Sequence, residues 1–546
     1  MATAEIAPGG TFDYVIIGAG SAGAVLAARL TEDPGTTVCL IEAGPPDKHP
    51  LIHIPFGLAE LGKVAGINWR YETTPQTRLN GRRLTWPRGK VLGGSSSLNA
   101  MCYIRGVPED YDGWVAQGAE GWGWDTVFPY FKKSEDQERG GDEFHSTGGP
   151  LAVSDLRHVS PLSRAFVEAG AALQIPRNED FNGERQDGLG LYQVTQRQGR
   201  RCSTAVAYLR PAEKRSNLRI LTEASAEAIL FEGRRAAGVR ISRAGAPMAL
   251  KADREVLLCG GAVNSPQLLM LSGIGPAAHL QEQGIAPLAD RPGVGQNLQD
   301  HLDAILQYKT HSMAGYGNAL SMIPRGLWGF VRYALDKRGF LTSNIAEAGG
   351  FIRVTPGAEH SEVQFHFLPV RIENHGRTRV YGYGYSLHSC CLQPKSRGEI
   401  RLASPDAAKH PSINPRYLDH EDDAQIMVAA VKMGRRILAT PAFDRFKGQE
   451  VEPGKDTETD ADLLAFIRER AETIYHPVGT CRMGRADDPG SVVDARLNVI
   501  GVDGLRVVDA SVMPTLIRGN TNAPTIMIAE RAADLIRSRT GPSART

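Results

Sequence analysis

A glycine-rich turn near the start of the chain carries the clearest chemical signal. Residues 13–23 read DYVIIGAGSAG, with glycines at 18, 20 and 23. Gly18 permits a tight turn, Gly20 has no Cβ to hold a phosphate away, and Gly23 lets a helix pack closely on a strand. Glu42 follows 24 residues after Gly18, where a carboxylate can accept hydrogen bonds from ribose hydroxyls. This spacing predicts a dinucleotide-binding site.

The elements around the turn are those that such a site needs. Tyr14–Ile17 is a short apolar run typical of a buried parallel strand. A helix is predicted from Ser21 to Leu30, and the N–H groups of its first turn would point at the phosphates. A second apolar strand, VCLI, leads into Glu42. A chance glycine-rich turn would lack this strand, helix and acid at these distances.

Two other side chains that could act as nucleophiles have no supporting residues around them. Cys481 and Ser203 lack a neighbouring base and a group to orient it, so we do not expect covalent catalysis. Most of the 14 histidines are expected to be structural or exposed. None of them joins cysteines or acids at metal-ligand spacing, so no metal site is predicted.

Composition and charge narrow the class of protein. The chain has 546 residues, which suggests two to four domains, and its 42% apolar and 23% charged residues are typical of a globular protein. The net charge is +1, from 62 basic and 61 acidic residues. A nucleic-acid partner is not expected, because it requires a basic excess on one face.

Cysteine usage and the N-terminus suggest where the protein works. The seven cysteines have no CxxC spacing, and several, such as Cys39 and Cys259, lie in apolar runs. They are interpreted as buried thiols in a reducing compartment. We see no secretory signal in residues 1–10 and no run of 18 apolar residues. We therefore predict a cytoplasmic protein, with peripheral contact to the inner face of the membrane left open.

Residues 323–340 form one amphipathic stretch that bears on that alternative. Trp328, Phe330 and Leu335 alternate there with Arg325, Arg332, Lys337 and Arg338. A basic amphipathic helix can lie on a membrane. The interpretation favoured by the sequence is a helix that covers the core of a second domain.

The remaining segments predict a domain assembled from separated pieces. Residues 45–94 are irregular, and 255–275 repeat the pattern of a buried strand and a glycine turn, with a helix starting near Ser265 and Pro266. A hairpin is predicted around Glu232 and Gly233, strands at 364–368 and 384–388, a last strand from 506, and a closing helix over 523–537. A mostly antiparallel domain is expected between the pieces.

Further motifs follow the glycine turn in order along nearly the whole chain. They read RGKVLGGSSSLNAMCYIRG (88–106), GGAVNSPQLLMLSGIGP (260–276), VGQNLQDHL (294–302), YHPVGTCRMG (475–484) and VVDASVMPTLIRGNTNAPTIMIAER (507–531). This set resembles the glucose–methanol–choline (GMC) oxidoreductases, which bind FAD. PLIHIPFG (50–57), LNGRRLTWPRGK (79–90) and LAVSDLRHVSPLSRAF (151–166) are most similar to bacterial alcohol dehydrogenases of alkane and polyethylene glycol degradation.

The resemblance implies a fold of the α/β plus α+β class. It implies a discontinuous Rossmann-like FAD domain of the glutathione-reductase type, with an inserted substrate domain built on a six-stranded antiparallel sheet. We assign residues 1–157, 217–305 and 468–546 to the FAD domain and residues 158–216 and 306–467 to the substrate domain. The isoalloxazine ring is then expected at their junction.

The resemblance also implies roles for individual residues. His476 is the implied general base, a task that suits an imidazole. Asn522 is the implied amide that holds the substrate oxygen, although by itself it could be an N-cap of the closing helix. Contact with FAD is expected from Gly18, Gly20, Ser21, Ala22, Gly23, Glu42, Ala43, Gly44, Trp69, Arg88, Gly89, Val91, Gly93, Gly94, Ser95, Asn99, Ala100, Met101, Ala226, Gly261, Asp509, Ala510, Asn520, Pro524 and Thr525.

Three further expectations concern the surroundings of the flavin. Some oxidases of the family link a histidine of the GGxSSHN segment covalently to FAD, but this chain has Leu98 there, so FAD is expected to be non-covalent. Residues 297–301 are expected to support the domain junction rather than the chemistry. His366 and Glu347 are candidates for lining the pocket, or for merely satisfying buried neighbours.

The function implied is oxidation of a primary aliphatic or extended apolar alcohol to an aldehyde. The hydride would pass to flavin N5, and a quinone or dye would be the electron acceptor. Three alternatives stay open: an oxidase that produces hydrogen peroxide, a choline dehydrogenase, and a flavin-containing lyase of the same family. The sequence does not predict the oligomeric state.

Overall fold

Two large sheets, each built from distant parts of the chain, frame the molecule in the computed structural model, which describes residues 7–373, 376, 378 and 380–538. The helices are α1 (Ser21–Leu30), α2 (Pro50–His53), α3 (Leu58–Leu61), α4 (Pro108–Ala116), α5 (Trp124–Ser134), α6 (Pro161–Ala169), α7 (Arg210–Ala212), α8 (Gly261–Leu271), α9 (Ala277–Glu282), α10 (Met322–Asp336), α11 (Glu421–Leu438), α12 (Asp460–Arg470) and α13 (Asn522–Arg537). The strands are β1 (Ala7–Ile17), β2 (Val38–Ile41), β3 (Tyr71–Glu72), β4 (Thr85–Trp86), β5 (Glu135–Gln137), β6 (Leu151–Val153), β7 (Gly188–Leu191), β8 (Gln196–Arg197), β9 (Arg200–Arg201), β10 (Leu218–Leu221), β11 (Ala224–Glu232), β12 (Arg235–Arg243), β13 (Ala246–Leu258), β14 (Ile274–Gly275), β15 (Ala289–Asp290), β16 (Leu302–Thr310), β17 (Ala348–Ile352), β18 (Val363–Leu368), β19 (Tyr383–Cys391), β20 (Glu399–Arg401), β21 (Ser412–Asn414), β22 (Gln449–Glu452), β23 (Glu472–Thr473) and β24 (Leu505–Val507).

The first sheet has the order β10-β2-β1-β13-β12-β11, with β24 also paired to β13. Strands β10, β2, β1, β13 and β24 are parallel, and β12 pairs antiparallel with both β13 and β11. All four residues of β2 are buried, as a central parallel strand with both faces covered requires. The carboxyl ends of the parallel strands meet at one edge, which is where open α/β sheets bind ligands.

The second sheet is antiparallel and has the order β22-β16-β19-β18-β17-β7. The predicted six strands are therefore present, and the two-residue strand β23 adds a seventh beside β16. Helix α11 covers this sheet through Met427, Val431 and Gly434, which recur at helical spacing and face β16 and β19. A Cβ on Gly434 would lie 2.6 Å from a methyl of Leu306, so the helix approaches the sheet closely.

Helix α8 corrects the predicted start of the second glycine-turn helix. It begins at Gly261 rather than near Ser265, so Pro266 lies inside it. Proline has no N–H, and the carbonyl of Ala262 therefore loses its helical partner. The hydroxyl of Thr480 donates to that carbonyl at 2.7 Å, which makes the early start possible. A contact from a distant motif thus completes the helix.

Helix α13 matches the predicted closing helix and packs on α1. Glu530, fully buried on α13, accepts hydrogen bonds from Arg29 of α1 and from the hydroxyl of Tyr208. Because these contacts hold the two helices side by side, their first turns also meet, and Ser21 Oγ donates to Asn522 Oδ1 at 2.7 Å.

Helix α10 contradicts the interpretation favoured by the sequence for residues 323–340. Only Gly329 and Tyr333 of this helix are buried, and its large apolar side chains face outward. It therefore does not cover a core with its apolar face. No helix in the described part of the chain is long and apolar enough to cross a bilayer.

The seven cysteines are all free and buried, as expected from the apolar runs around them. Burial raises the pKa of both Cys39 and Cys102 to about 12. The proposed domain division stays a prediction. Strand β16 starts before the predicted boundary at 305, β23 joins the second sheet from a segment assigned to the FAD domain, and residues 1–6 and 539–546 lie outside the described chain.

Candidate active site

The turn between β1 and α1 is shaped by close backbone contacts. Gly18 has φ +98°, and a Cβ there would lie 2.5 Å from the carbonyl oxygen of Cys259. A Cβ on Gly23 would lie 1.9 Å from the carbonyl oxygen of Gly18. Neither position accepts a side chain, so the strand, turn and helix pack as the spacing predicted.

Gly20 differs from those two glycines because it faces open space. The nearest atom to a Cβ built there is Gly94 Cα at 3.8 Å. Gly20 is the N-cap of α1, no side chain caps this end, and no acid lies in its first turn, which contains Ser21 and Ala22. Free N–H groups at a helix N-terminus attract an anion, and the open space leaves room for a phosphate.

The segment from Arg88 to Asn99 packs on this turn. Gly93 N–H donates to the carbonyl of Ala19 at 2.8 Å, and a Cβ on Gly94 would lie 2.6 Å from Gly20 Cα. A Cβ on Gly44 would lie 1.8 Å from the carbonyl oxygen of Lys90. Three predicted segments thus meet backbone to backbone around the glycine turn.

Glu42 lies at the end of β2, as predicted. Its two carboxylate oxygens accept N–H groups of Ala19 and Gly44 at 3.0 and 2.9 Å. Burial raises the pKa of Glu42 to about 7, and these N–H groups oppose that shift. Each oxygen keeps a lone pair that can accept from a ribose hydroxyl. Ala224 N–H donates to the backbone carbonyl of Glu42, which brings β11, and with it Ala226, to the same edge.

Asp509 joins the second glycine turn to the end of β24. One carboxylate oxygen accepts Gly261 N–H at 2.8 Å and Ser265 Oγ at 2.6 Å, and the other accepts Ser511 N–H. Burial raises the pKa of Asp509. A Cβ on Gly261 would meet nothing within 4 Å, so open space lies beside this cluster too.

The other residues expected at the cofactor lie on these same segments. Trp69 stacks on Tyr71 at 5.7 Å, and Arg88 donates to the carbonyl of Tyr475 at 2.6 Å, next to His476. The remaining members are Ala43 after β2, Gly89, Val91 and Ser95 in the 88–99 segment, Ala510 after Asp509, and Pro524 and Thr525 in the first turn of α13.

Asn99, Ala100 and Met101 form the far end of this region. Asn99 Oδ1 accepts Met101 N–H at 3.1 Å and a nitrogen of Arg201 at 2.9 Å, and Met101 has φ +63°. Burial lowers the pKa of Arg201 to about 9, and its Nη2 is buried with no hydrogen-bond partner in the described chain. A partly satisfied buried cation favours an anionic ligand nearby. The open cradles, the uncapped helix and this cation fit a bound dinucleotide such as FAD.

His476 and His301 are joined by a buried hydrogen bond whose donor and acceptor can be assigned. Their Nδ1 atoms are 2.9 Å apart, and His301 Nε2 lies 2.8 Å from the carbonyl oxygen of Leu392. That carbonyl can only accept, so His301 Nε2 carries the proton. Burial lowers the pKa of His301 to about 4, so the ring is neutral and its Nδ1 is an acceptor. His476 Nδ1 therefore donates, and its Nε2 is left unprotonated.

Asn520 reaches His476 Nε2 from the other side. Tyr192 OH donates to the carbonyl of Phe365 at 2.6 Å, so it accepts the amide of Gln364. Gln364 Nε2 also donates to Asn520 Oδ1 at 3.0 Å. The Nδ2 group of Asn520 then faces His476 Nε2 at 3.3 Å. The backbone carbonyls of Leu392 and Phe365 thus fix the direction of each hydrogen bond in this series of side chains.

The pKa of His476 lies well below the ordinary value for histidine. Burial is the largest cause, and the nearby His301, His366 and Arg88 add to it. Asp300 holds the backbone, because its Oδ1 accepts His476 N–H at 2.7 Å. His476 is therefore a neutral base at physiological pH, with its lone pair on Nε2.

The position of Asn522 corrects the predicted pairing. Asn522 Oδ1 accepts from Ser21 at the uncapped start of α1, whereas Asn520 lies at His476. Asn522 is the first residue of α13, and the preceding loop turns Asn520 toward the second sheet. The amide that faces the base is therefore two residues before the predicted one.

The two pocket candidates on the second sheet differ. His366 lies beside Tyr192 and Asn520, and burial first, then His388 and His301, lowers its pKa to about 3. Glu347 is fully buried, and its oxygens accept from Ser160 N–H, Ser163 Oγ, Ser343 Oγ and the hydroxyl of Tyr316. Four donors satisfy a carboxylate, so Glu347 joins chain segments and has no lone pair left for a ligand.

Sequence reasoning missed three contributors to this site. His301 was expected only to support a junction, Gln364 was part of an unremarkable strand, and Arg201 was not selected. Their signals in the sequence are weak: a histidine after an acid in VGQNLQDHL, a polar residue in a buried strand, and an arginine pair directly after a turn. Cys481 and Ser203 are both buried, and no group of His, Cys, Asp and Glu in the described residues could hold a metal ion.

Family models and relatives match the chain over most of its length. Two family models, both described as GMC oxidoreductase, match residues 12–303 and 394–529. An alcohol dehydrogenase (acceptor) from Pseudomonas putida is 52% identical over 528 residues, covering 96% of this chain and 95% of the relative. An oxygen-dependent choline dehydrogenase from Sinorhizobium medicae is 45% identical over 524 residues, covering 96% and 95%.

Solved structures share the whole fold. Pyridoxine 4-oxidase from Mesorbium loti matches with a TM-score of 0.87 at 35% identity, covering 96% of this chain and 99% of that one. A variant of formate oxidase from Aspergillus oryzae RIB40, solved to study its FAD modification, matches with a TM-score of 0.90 at 27% identity, covering 97% of this chain and 99% of that one. The chain is therefore an enzyme that belongs to the GMC oxidoreductase family, whose members depend on FAD.

Proposed function

We propose that the protein oxidises a primary alcohol, aliphatic or extended and apolar, to its aldehyde, with His476 as general base. The observation that carries the proposal is the unprotonated Nε2 of His476 facing the amide Nδ2 of Asn520 at 3.3 Å. Nε2 accepts from Nδ2 at this distance, and a substrate hydroxyl that displaced this hydrogen bond would donate to Nε2 and accept from Nδ2. As the proton leaves, the amide would stabilise the negative charge that develops on the oxygen.

FAD in this site would supply the hydride acceptor, at flavin N5. The protein's own part is to hold and orient. The uncapped start of α1 would take the pyrophosphate, Glu42 the ribose, and residues 93–101 the flavin end. In this proposal Asn522, with Ser21, belongs to the phosphate side, and Asn520 takes over the role first expected of Asn522.

We propose that FAD is held without a covalent bond. Leu98 lies where some relatives carry a linking histidine, and its side chain packs with Ile52, Leu61, Ile67 and Val91. An aliphatic side chain in an apolar cluster offers no nucleophile. FAD released by acid precipitation should appear in the supernatant. FAD that stays with the precipitate would contradict this part.

An apolar substrate is supported by the walls near Ala100. That residue and Leu368 border a cluster of buried residues that includes Ile104, Phe351 and Leu392. The relative from Pseudomonas putida, at 52% identity, is named an alcohol dehydrogenase (acceptor), which supports transfer of the electrons to a separate acceptor compound. We propose that this acceptor is a quinone or a similar compound. We also propose that the protein is cytoplasmic and that its domains have the boundaries predicted from the sequence.

Choline oxidation is the second candidate, because choline dehydrogenases are about as long and 45% identical. A quaternary ammonium group requires an aromatic cage and is often paired with a carboxylate. Glu347 is the buried carboxylate considered for that task, and its four hydrogen bonds leave it unavailable. This contact set favours an uncharged alcohol.

The test is a screen for anaerobic bleaching of the flavin with alkanols, glycols, aryl alcohols and choline. Bleaching by medium or long primary alkanols, and poor bleaching by choline, is expected. Bleaching by choline alone would establish the second candidate, and no bleaching by any alcohol would favour a lyase. Hydrogen peroxide produced in proportion to aldehyde in air would identify an oxidase instead of a dehydrogenase.

A further inference from the structure

One surface of the protein collects nearly all of its exposed large apolar side chains. Ten such side chains are found in the described residues, and all but Val115 lie in two neighbouring segments, 313–335 and 381. The backbones of Asn318 and Gly382 are bridged, and Ser321 hydrogen bonds with Tyr383, so these segments are adjacent. The nine residues are Met313, Leu320, Ile323, Leu327, Trp328, Phe330, Val331, Leu335 and Tyr381.

Helix α10 is oriented with its bulky face outward. At 3.6 residues per turn, its outward residues cover an arc of roughly 160° that is entirely apolar. The inner side carries Gly329, where a Cβ would lie 2.1 Å from a ring atom of Phe340, and Tyr333. Leu327 is 65% exposed and Trp328 61% exposed. An ordinary surface helix buries its apolar arc, whereas this arc has no partner among the described residues.

Basic side chains flank the arc. Residues 322–338 carry Arg325, Arg332, Lys337 and Arg338 against one acid, Asp336, which is paired with Arg332 at 2.8 Å. Arg325 also donates to the carbonyl of Met313, which anchors the helix at its first half. The apolar arc therefore has a rim with a net positive charge.

We propose that α10 docks the protein on an anionic lipid bilayer. The arc would lie at the boundary of headgroups and acyl chains, and the flanking cations would contact lipid phosphates. The charge favours a lipid surface over a second copy of the chain, because a two-fold pair would bring two positively charged rims together. The docking itself does not depend on the reaction proposed above.

A short chain segment joins this surface to the candidate active site. Phe340 packs under α10, and four residues later Asn344 donates to the carbonyl of Ala100 at 2.8 Å. If the proposed function holds, apolar alcohols and a quinone dissolved in the bilayer would therefore be close to the site. This part rests on the proposed function, and the binding experiment below separates the two.

The test is sedimentation of the full-length holoprotein with vesicles of phosphatidylcholine alone or mixed with phosphatidylglycerol. Binding is expected with the anionic vesicles, reduced by salt. The double variant Leu327→Glu/Val331→Glu should weaken it at least about tenfold, since two apolar side chains no longer enter the bilayer. Both positions already face solvent, so flavin reduction by a water-soluble alcohol should stay unchanged. Val115→Glu, an exposed apolar residue elsewhere, is the matched control and should bind normally.

Trp328 provides a second readout. The other five tryptophans are buried or partly buried, so a vesicle-induced blue shift and quenching by brominated lipid would report on this helix. Trp328→Phe should abolish the signal and keep the binding. The proposal is overturned if neither vesicle binds the protein. It is also overturned if the wild type is a dimer that Leu327→Glu/Val331→Glu dissociates, because a second copy then covers the arc. Binding without any bleaching by alcohols would leave the docking in place and refute only the function.

Discussion

The unprotonated nitrogen of His476 is the reactive atom of the proposed mechanism, so its removal is the most direct test. His476→Ala should lower the rate constant of anaerobic flavin reduction by at least about a hundredfold, the usual contribution of a general base. The FAD content should stay normal, because the contacts proposed to hold the cofactor lie on other segments. Stopped-flow absorbance at saturating alcohol measures the rate, and a near-normal rate would refute the assignment.

The two asparagines before and in α13 allow a matched comparison. Asn520→Ala should reduce kcat/KM about a hundredfold or more, as is typical when a donor to a developing oxyanion is lost. Asn522→Ala removes a hydrogen bond with Ser21 and should change kcat much less. Steady-state kinetics with the best alcohol measures both. If Asn522→Ala had the larger effect on kcat, the assignment of Asn520 would be wrong.

His301 is a positioning residue, because it acts on the substrate only through His476. In the wild type, the acid limb of kcat/KM should lie below the ordinary histidine value of about 6.5, since the pKa of His476 is lowered. His301→Leu removes the acceptor that keeps His476 protonated on Nδ1, so the rate should fall, and His301→Gln, which keeps an acceptor oxygen, should restore part of the rate. A merely structural role would show no such difference between the two variants.

Two glycines of the turn between β1 and α1 differ in what surrounds them, so alanine at each should have a different effect. Gly20→Ala places a methyl in open space, so the apoprotein should keep its stability while affinity for FAD falls about tenfold. Gly23→Ala forces a methyl against the carbonyl of Gly18 and should destabilise the apoprotein itself. Thermal unfolding of the apoproteins and FAD titration distinguish the two. Equal behaviour of the two variants would contradict the described packing.

Helix α8 shows how one element depends on a distant one. Its N-terminal half is completed by Thr480, which takes the carbonyl that Pro266 leaves free. The same segment, YHPVGT (475–480), carries His476 four residues before Thr480. The second glycine turn and the base are therefore held by one short segment, which links the cofactor side of the site to the reactive side.

At the scale of the whole molecule, the buried neutral histidines predict a dependence of stability on pH. Burial first, then neighbouring histidines, lowers the pKa of His366 to about 3, whereas the unfolded chain has about 6.5. Below pH 6.5 the unfolded state binds more protons, so the contribution of His366 is present above pH 6.5 and is lost as pH falls. Glu42 acts in the opposite direction, since its pKa is raised to about 7.

A variant isolates the histidine from such opposing groups. We compare the free energy of unfolding of the wild type with that of His366→Leu. The difference between them should be about 2 kcal/mol smaller at pH 5 than at pH 6.5, because only the wild type loses stability by protonation of this ring. Denaturant unfolding at a series of pH values measures it. A difference between variant and wild type that does not change with pH would show that the ring is protonated in the folded state.

Features set by a local sequence pattern were predicted correctly, whereas features set by contacts between distant parts of the chain were missed. The glycine turn was predictable because the spacing of its glycines is a local pattern, although Gly18 also packs on the distant backbone of Cys259. The antiparallel sheet was predictable because it follows from the family resemblance. The pairing of Asn520 with His476 was missed by two residues, because the turn of the loop toward Gln364 is set by a strand 156 residues away in the chain. The outward face of α10 was missed because periodicity predicts an apolar arc but not which side it takes.

The burial of all seven cysteines has a practical consequence. With every thiol shielded and its reactivity suppressed by burial, the folded protein should be inert to thiol reagents, and labelling should proceed only as fast as the chain opens. The rate of thiol modification would then measure the rate of unfolding of the unaltered protein. It also means that one cysteine introduced on α10 would be the single reactive thiol of the native molecule, so a probe attached there would report its depth and surroundings without a background.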